Sequence, residues 1–156
     1  MNIGPGAGKC FVYIALTYAL AQTAAFGDAS PDQAQALLAR AVDAVRADSG
    51  RALDAFNTLC GPYAEDDLYV FVISSADKLV RANGADPRLT DTDADPLSLR
   101  APGGKLVQEL IVAAGQRDQG EMDYVWLNPT TGNAETKHVF LHKVNGMVVG
   151  VGSYTR

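Results

Sequence analysis

The stretch from Glu121 to Tyr154 constrains the fold more than any other part of this chain. Its three runs, Met122 to Pro129, Lys137 to Val144 and Met147 to Tyr154, read as consecutive strands. In the first run polar and apolar residues alternate, so Met122, Tyr124 and Trp126 leave the sheet on one face. Asn128-Pro129-Thr130-Thr131-Gly132 is turn chemistry: Pro fixes φ early and Gly leaves the turn with φ > 0. Asn145-Gly146 is a strong short hairpin signal, because both residues tolerate φ > 0. The chain's single Trp, the neighbouring Tyr124, Lys137 and the late Tyr154 therefore lie on adjoining strands. A sheet with aromatic core residues is the plain reading. One face of a small-ligand pocket holding a single cation is the functional one.

The rest of the chain supplies what must cover that sheet. Ser30-Pro31-Asp32-Gln33 is a helix start: Ser30 caps, Pro31 takes the first helical position and Gln33 closes a capping box. Ala34, Leu37, Leu38, Ala41, Val42 and Val45 follow at helical spacing. Asp48-Ser49-Gly50 interrupts the run and caps a shorter helix carrying Ala52, Leu53 and Phe56. Cys60-Gly61-Pro62 stops it. Leu68 to Ile73 is apolar throughout, as in a strand buried on both faces. Lys78 to Ala82 is a short second strand, and Asn83 to Pro102, rich in Pro and Asp, is a loop. Gly103-Gly104 opens a helix with Leu106, Val107, Leu110, Ile111 and Ala114 on one face, ended by Gly115 or Gly120. The expected fold is α+β: a five-stranded antiparallel sheet with the N-terminal helix on one face and a loop-helix segment over the other.

At 156 residues and 47% hydrophobic content the chain is one domain with a real core. A net charge of −5 and the lack of any Lys/Arg cluster argue against a nucleic-acid partner. Lys9 is the only charge before Asp28, and Cys10 to Ala21 is an apolar run of signal-peptide length. Ala19-Leu20-Ala21 fits the cleavage pattern. Residues 1–21 are therefore expected to be a signal peptide, with mature start Gln22, and 22–156 the exported, periplasmic domain; an uncleaved N-terminal anchor is the alternative. Cys60 is then the only cysteine left, and its thiol is expected to be buried, with an intermolecular bridge as the alternative.

Several motifs fail on inspection. Gly4-Pro5-Gly6-Ala7-Gly8-Lys9 has the wrong glycine spacing for a phosphate loop and Cys10 in place of Ser/Thr. Asp91-Thr92-Asp93-Ala94-Asp95 begins like a calcium loop but has Pro96 and Pro102 where Gly and Glu are needed. His138 and His142 share a strand face but stand ~13 Å apart, too far to chelate one ion. No Ser–His–Asp or Cys–His pairing is legible, so no catalytic residue, metal or cofactor is expected. Lys137 is the most informative polar residue: either a solvent-facing strand-end Lys or the counter-charge for a small anion.

These residues resemble the single Cache domain family, extracytoplasmic sensor domains with a PAS-like sheet. The similarity spans about Pro31 to Tyr154. It rests on Asp67-Leu68-Tyr69-Val70-Phe71-Val72, on Lys78 to Asn83, and on Gly103-Gly104-Lys105 leading into Val107 to Leu110. It continues through Tyr124-Val125-Trp126-Leu127-Asn128-Pro129, Lys137 and the closing Gly150-Val151-Gly152-Ser153-Tyr154. The resemblance implies a pocket between the sheet and the loop-helix segment, for a small carboxylate such as acetate or pyruvate. Carried over by position, Tyr69, Phe71, Tyr124, Trp126, Lys137 and Tyr154 line it. The partners it implies are that small molecule, a membrane receptor or kinase, and a second copy of the chain. It implies a binding module, not an enzyme; the alternatives are a structural or interaction protein with no small ligand and, less favoured, an enzyme. Three features depart from the family pattern: Asn83 stands where many relatives have His, Gly103-Gly104 replaces the usual Asp-Gly, and Thr90 to Ala101 is not glycine-rich.

Overall fold

A computed structural model describes residues 29–65, 67–93, 105–115 and 117–155. The expected signal peptide, its cleavage site and the Gly103-Gly104 helix start lie outside those residues. Helix α1 (Pro31–Ala47) begins with the capping box that the sequence announces. The Gln33 N–H donates to Ser30 Oγ at 3.2 Å, and the Ser30 N–H donates to Gln33 Oε1 at 2.7 Å. Asp48 ends α1 in an extended conformation, and its carboxylate accepts from the Arg51 N–H at 3.0 Å to cap α2 (Ser49–Phe56).

The strands are β1 (Ala64–Glu65), β2 (Leu68–Ser74), β3 (Val80–Asn83), β4 (Gln119–Leu127), β5 (Ala134–Val144) and β6 (Met147–Thr155). Their order is β1-β2-β6-β5-β4, with β3 also paired to β2, and every pairing is antiparallel. The sheet thus has six strands, one more than the sequence suggests. The addition is β1, too short to leave a periodic signal. The second strand starts at Val80, two residues later than expected, because Lys78 takes a left-handed φ of 63° that ends the preceding turn. A 3-10 turn, Pro87–Leu89, and helix α3 (Leu106–Gly115) complete the described elements.

Two cores sandwich the sheet. On one face Leu37, Leu38, Val42 and Val45 of α1 and Phe56 of α2 pack on Leu68, Val70, Val72, Val149 and Val151. On the other, Leu106, Val107, Leu110 and Ala114 of α3 pack toward Tyr69, Phe71, Ile73, Val139 and Leu141. Strands β2 and β6 contribute to both, which is why Leu68 to Ile73 is apolar at every position. The β5–β6 turn has φ of 49° at Asn145 and 72° at Gly146, the left-handed pair of a two-residue hairpin. Asn145 Nδ2 also donates to the Val45 carbonyl at 3.2 Å, which ties the hairpin to α1.

Helix α3 reaches the sheet through a missing side chain. A Cβ at Gly120 of β4 would collide with the Ala113 carbonyl oxygen and come within 3.2 Å of the Ala114 nitrogen. Both are backbone atoms and cannot rotate away. Gly120→Ala should therefore lift α3 from the sheet and destabilise the fold by about 1–3 kcal/mol, the usual cost of overpacking. Urea unfolding of the two proteins measures it.

Cys60 differs from expectation. It is exposed and sits at a φ of 55° in the turn after α2, not buried. The helix stop that the Cys60-Gly61-Pro62 run encodes places it on the surface, and burial statistics for cysteine do not outweigh that position.

Candidate functional site

The register brings three of the expected site residues into one row. Tyr124 of β4 pairs with Lys137 of β5, and Lys137 pairs with Tyr154 of β6. Directly opposed residues share a face, so all three point toward α3, together with Trp126, two positions along from Tyr124. Tyr69 and Phe71 of β2 join them in the same core.

A cavity of about 30 Å³ lies between this face and α3. Tyr69, Phe71, Tyr124 and Trp126 form its aromatic wall; Ile73, Val80, Leu89, Leu106 and Leu110 form its apolar wall. Asn83, at the end of β3, supplies a polar group. Its Oδ1 accepts from the Ala85 and Asp86 N–H groups at 3.0 Å each, so it also holds the turn that follows β3. Asn83 stands out in the sequence only as a departure from the family pattern; its place at a strand end beside the first buried strand is the signal that could have marked it.

Lys137 and Tyr154 do not reach the cavity wall. They lie beneath it, and two wall rings cover the lysine. Lys137 is 0% exposed. Its Nζ lies 3.7 Å from the centre of the Tyr69 ring, 5.2 Å from that of Phe71 and 5.4 Å from that of Tyr154. Among the described residues Nζ has no hydrogen-bond partner. Cation–π attraction offsets part of the lost hydration, and the buried Asp67 carboxylate acts on the amine from before β2. Burial dominates nonetheless, and it pulls the Lys137 pKa down to about 7.

The tyrosines are engaged with one another. Tyr154 donates to the Leu127 carbonyl at 3.0 Å, so its oxygen is left to accept from the Tyr69 hydroxyl at 3.2 Å. Burial, reinforced by the neighbouring Tyr154, holds the Tyr69 pKa well above 10, and a hydrogen bond from Trp126 opposes the rise. Burial raises Tyr124 in the same way, with Tyr69 adding to it. All three stay neutral at physiological pH. Tyr124 and Trp126 meet edge to face, with centroids 6.0 Å apart and planes at 78°, the favoured aromatic geometry.

The glycines of β6 make this arrangement possible. A Cβ at Gly152 would lie 2.8 Å from Lys137 Cε and 2.6 Å from Val139 Cγ1. A bare backbone there lets the lysine stem lie flat along the sheet. Away from this face the histidines do unrelated work. His138 Nδ1 is 2.6 Å from Asp123 Oδ1 on the exposed side of the β4–β5 pair, and His142 lies 3.3 Å from an Arg46 nitrogen. Among the described residues no group of three or more His, Cys, Asp or Glu could hold a metal ion.

The family model described as Single Cache domain 2 matches residues 12–156. No curated protein matches the chain. Solved structures share the fold. A methyl-accepting chemotaxis protein from Vibrio parahaemolyticus RIMD 2210633 is 19% identical with a TM-score of 0.63, over 79% of this chain and 86% of that one. The periplasmic sensor domain of a chemotaxis protein is 24% identical with a TM-score of 0.58, over 80% and 90%. A Cache chemosensory domain, described with the structural basis of its carboxylic acid recognition, is 17% identical with a TM-score of 0.57, over 80% and 88%.

Tyr154→Phe removes the donor to Leu127 and leaves the buried Tyr69 hydroxyl without its acceptor. It should cost about 1–3 kcal/mol, the price of an unsatisfied buried group. Tyr69→Phe in the same background should recover part of that loss, a non-additivity that chemical denaturation of the single and double variants reads directly.

Proposed function

The chain belongs to the single Cache domain 2 family of sensory, ligand-binding domains, and from that premise we propose that it binds a small monocarboxylate between its sheet and α3. Lys137 provides the counter-charge, and Tyr124, Trp126 and Asn83 orient the ligand. Tyr69 and Phe71 are the rings that an incoming carboxylate displaces slightly to meet the amine. The observation that carries the reading is the Lys137 amine itself, buried, without a hydrogen-bond partner among the described residues, under two rings of the cavity wall. A buried ammonium in that state is costly, and a carboxylate relieves the cost by charge and hydrogen bonding together. The cavity volume supports a ligand of a few heavy atoms, since a single water needs ~10–15 Å³ on the same measure. The solved Cache domain described as recognising carboxylic acids supports the ligand class.

On this reading the protein is an exported periplasmic sensor module whose signal peptide ends near Ala21. It reports ligand to a membrane receptor or kinase, and a homodimer is a natural form for that contact. No helix among the described residues is long and apolar enough to cross a membrane. N-terminal sequencing of the exported protein tests the cleavage; an intact Met1 in the membrane fraction overturns it.

The test of the site is calorimetric titration of wild type and Lys137→Met with acetate, propionate and pyruvate. Wild type should bind, and the variant should lose ~2–5 kcal/mol, the range for removing one partner of a buried charge pair. The ligand-free variant should unfold at a higher temperature than wild type, because an apolar side chain replaces a buried, poorly compensated ammonium. Equal affinity in both proteins removes Lys137 from the site. No binding of any acid to wild type rejects the carboxylate reading.

Binding should also depend on pH in a defined direction. Lys137 titrates at about 7 in the free protein, and a bound carboxylate raises that value. Affinity is then flat just below pH 7 and falls by about tenfold per unit above it, with uptake of one proton per ligand at pH ~8–9. Stability of the free protein moves the opposite way. Between about 7 and the ordinary lysine value of 10.5 the unfolded chain holds a proton that the folded chain lacks, so stability rises with pH across that window. Calorimetry in buffers of different ionisation enthalpy counts the protons, and pH-independent affinity from 6 to 9 refutes the coupling.

A further inference from the structure

Phe71 and Gly150 are direct cross-strand partners on β2 and β6. Their row continues through Asn83 on one side and through Leu141 to Gly120 on the other. The Phe71 ring reclines onto β6 at the point where Gly150 carries no side chain. A Cβ built there would run into the ring's Cζ and come within 2.6 and 2.7 Å of Cε1 and Cε2. The same ring lines the cavity.

Strand order gives the cavity two ends. Tyr69, Phe71 and Ile73 succeed one another on the same face of β2. Beneath the Tyr69 end lie the Lys137 amine and, through the hydroxyl contact, Tyr154. At the Ile73 end stands Val80, its partner on β3. An acid whose carboxylate faces Lys137 must lay its hydrocarbon tail over Phe71 toward Ile73 and Val80.

We propose that Phe71, seated on the bare backbone of Gly150, is the residue that sets the tail length the cavity accepts. This rests on the reading of the cavity as a carboxylate site. The ring is as low as the sheet permits, because only glycine at position 150 lets it down. Any larger residue there pushes it up into a space of about 30 Å³. A smaller residue at position 71 opens that space downward.

The experiment is titration of wild type, Phe71→Leu, Gly150→Ala and the double variant with the straight-chain acids from acetate to hexanoate. The quantity read is the ratio of affinities for successive acids within one protein. That ratio cancels the carboxylate contribution and the small loss of cation–π contact in Phe71→Leu. Phe71→Leu should shift the preferred acid to a longer one, with the ratio for each added methylene changing by about fourfold or more. Gly150→Ala should lose the longer acids first, by at least about tenfold, and the double variant should recover them. Gly150→Ala could be too unstable to titrate, in which case Phe71→Leu decides alone. Unchanged chain-length ratios in Phe71→Leu overturn the inference while the carboxylate reading stands. Absence of binding of every acid to wild type overturns both.

Discussion

A primary amine buried against three aromatic rings is the constraint on which the rest of this structure turns. Water would hydrate an exposed ammonium at no cost, so a fold that hides one must supply substitutes. Here the substitutes are ring faces and the field of Asp67. They leave the amine poised near neutrality, where the charged and neutral forms are close in free energy. The tyrosines around it direct their hydroxyls to one another and to the Leu127 carbonyl. This aims ring faces, not hydroxyl oxygens, at Nζ. The same network keeps Tyr69 neutral and in place, so the Tyr69 and Phe71 rings separate the amine from the cavity.

Small residues then decide the shape. Gly120, Gly150 and Gly152 lie on the α3 face of the sheet, and each gives way to a different neighbour: the backbone of α3, the Phe71 ring and the Lys137 stem. A sheet face carrying a side chain at every inward position would hold the helix farther off and leave no room for a reclining ring. Among the described strand residues the opposite face carries no glycine. There Val149 and Val151 of the same strand meet the valines and leucines of α1 in close packing. One strand thus presents valine to the structural core and glycine to the cavity, with the alternation that a pleat imposes.

Much of this was legible in the residues. The capping box at Ser30, the doubly buried Leu68 to Ile73 run and the Asn145-Gly146 hairpin each follow from local chemistry, and the structure bears them out. The pairing of Lys137 with Tyr154 was within reach as well. A two-residue turn fixes register, and the two residues stand equally far from it along their strands. The parity of β5, with Val139 and Leu141 inward, places Lys137 inward too. The pairing of Lys137 with Tyr124 was not legible, because the longer connection through Asn128 to Asn133 permits several registers. The contacts that β6 glycines permit were also hidden. A glycine in a strand announces that something approaches closely, but not which side chain arrives. The surface position of Cys60 and the two-residue strand β1 depend on the path of a single turn after α2, which carries no periodicity.

A ligand changes a protein's state only by interacting differently with two of its conformations. In the proposed site the difference has a definite source. The free fold carries an amine that burial disfavours in its charged form. The carboxylate complex carries a paired one, and the free energy separating those situations is available to shift the Tyr69 and Phe71 rings. Both rings rise from β2, the strand that joins the cavity face to the α1 face, with Val70 between them and Val72 beyond packed in the core with α1. A displacement of those rings therefore reaches α1 through a single strand, with no loop intervening. Packed interiors transmit such shifts because they compress little. On the proposed reading, a sensor built this way would draw its signal from the same desolvation cost that makes its empty site unstable. Replacing the lysine with an apolar residue would accordingly yield a more stable protein and a silent one.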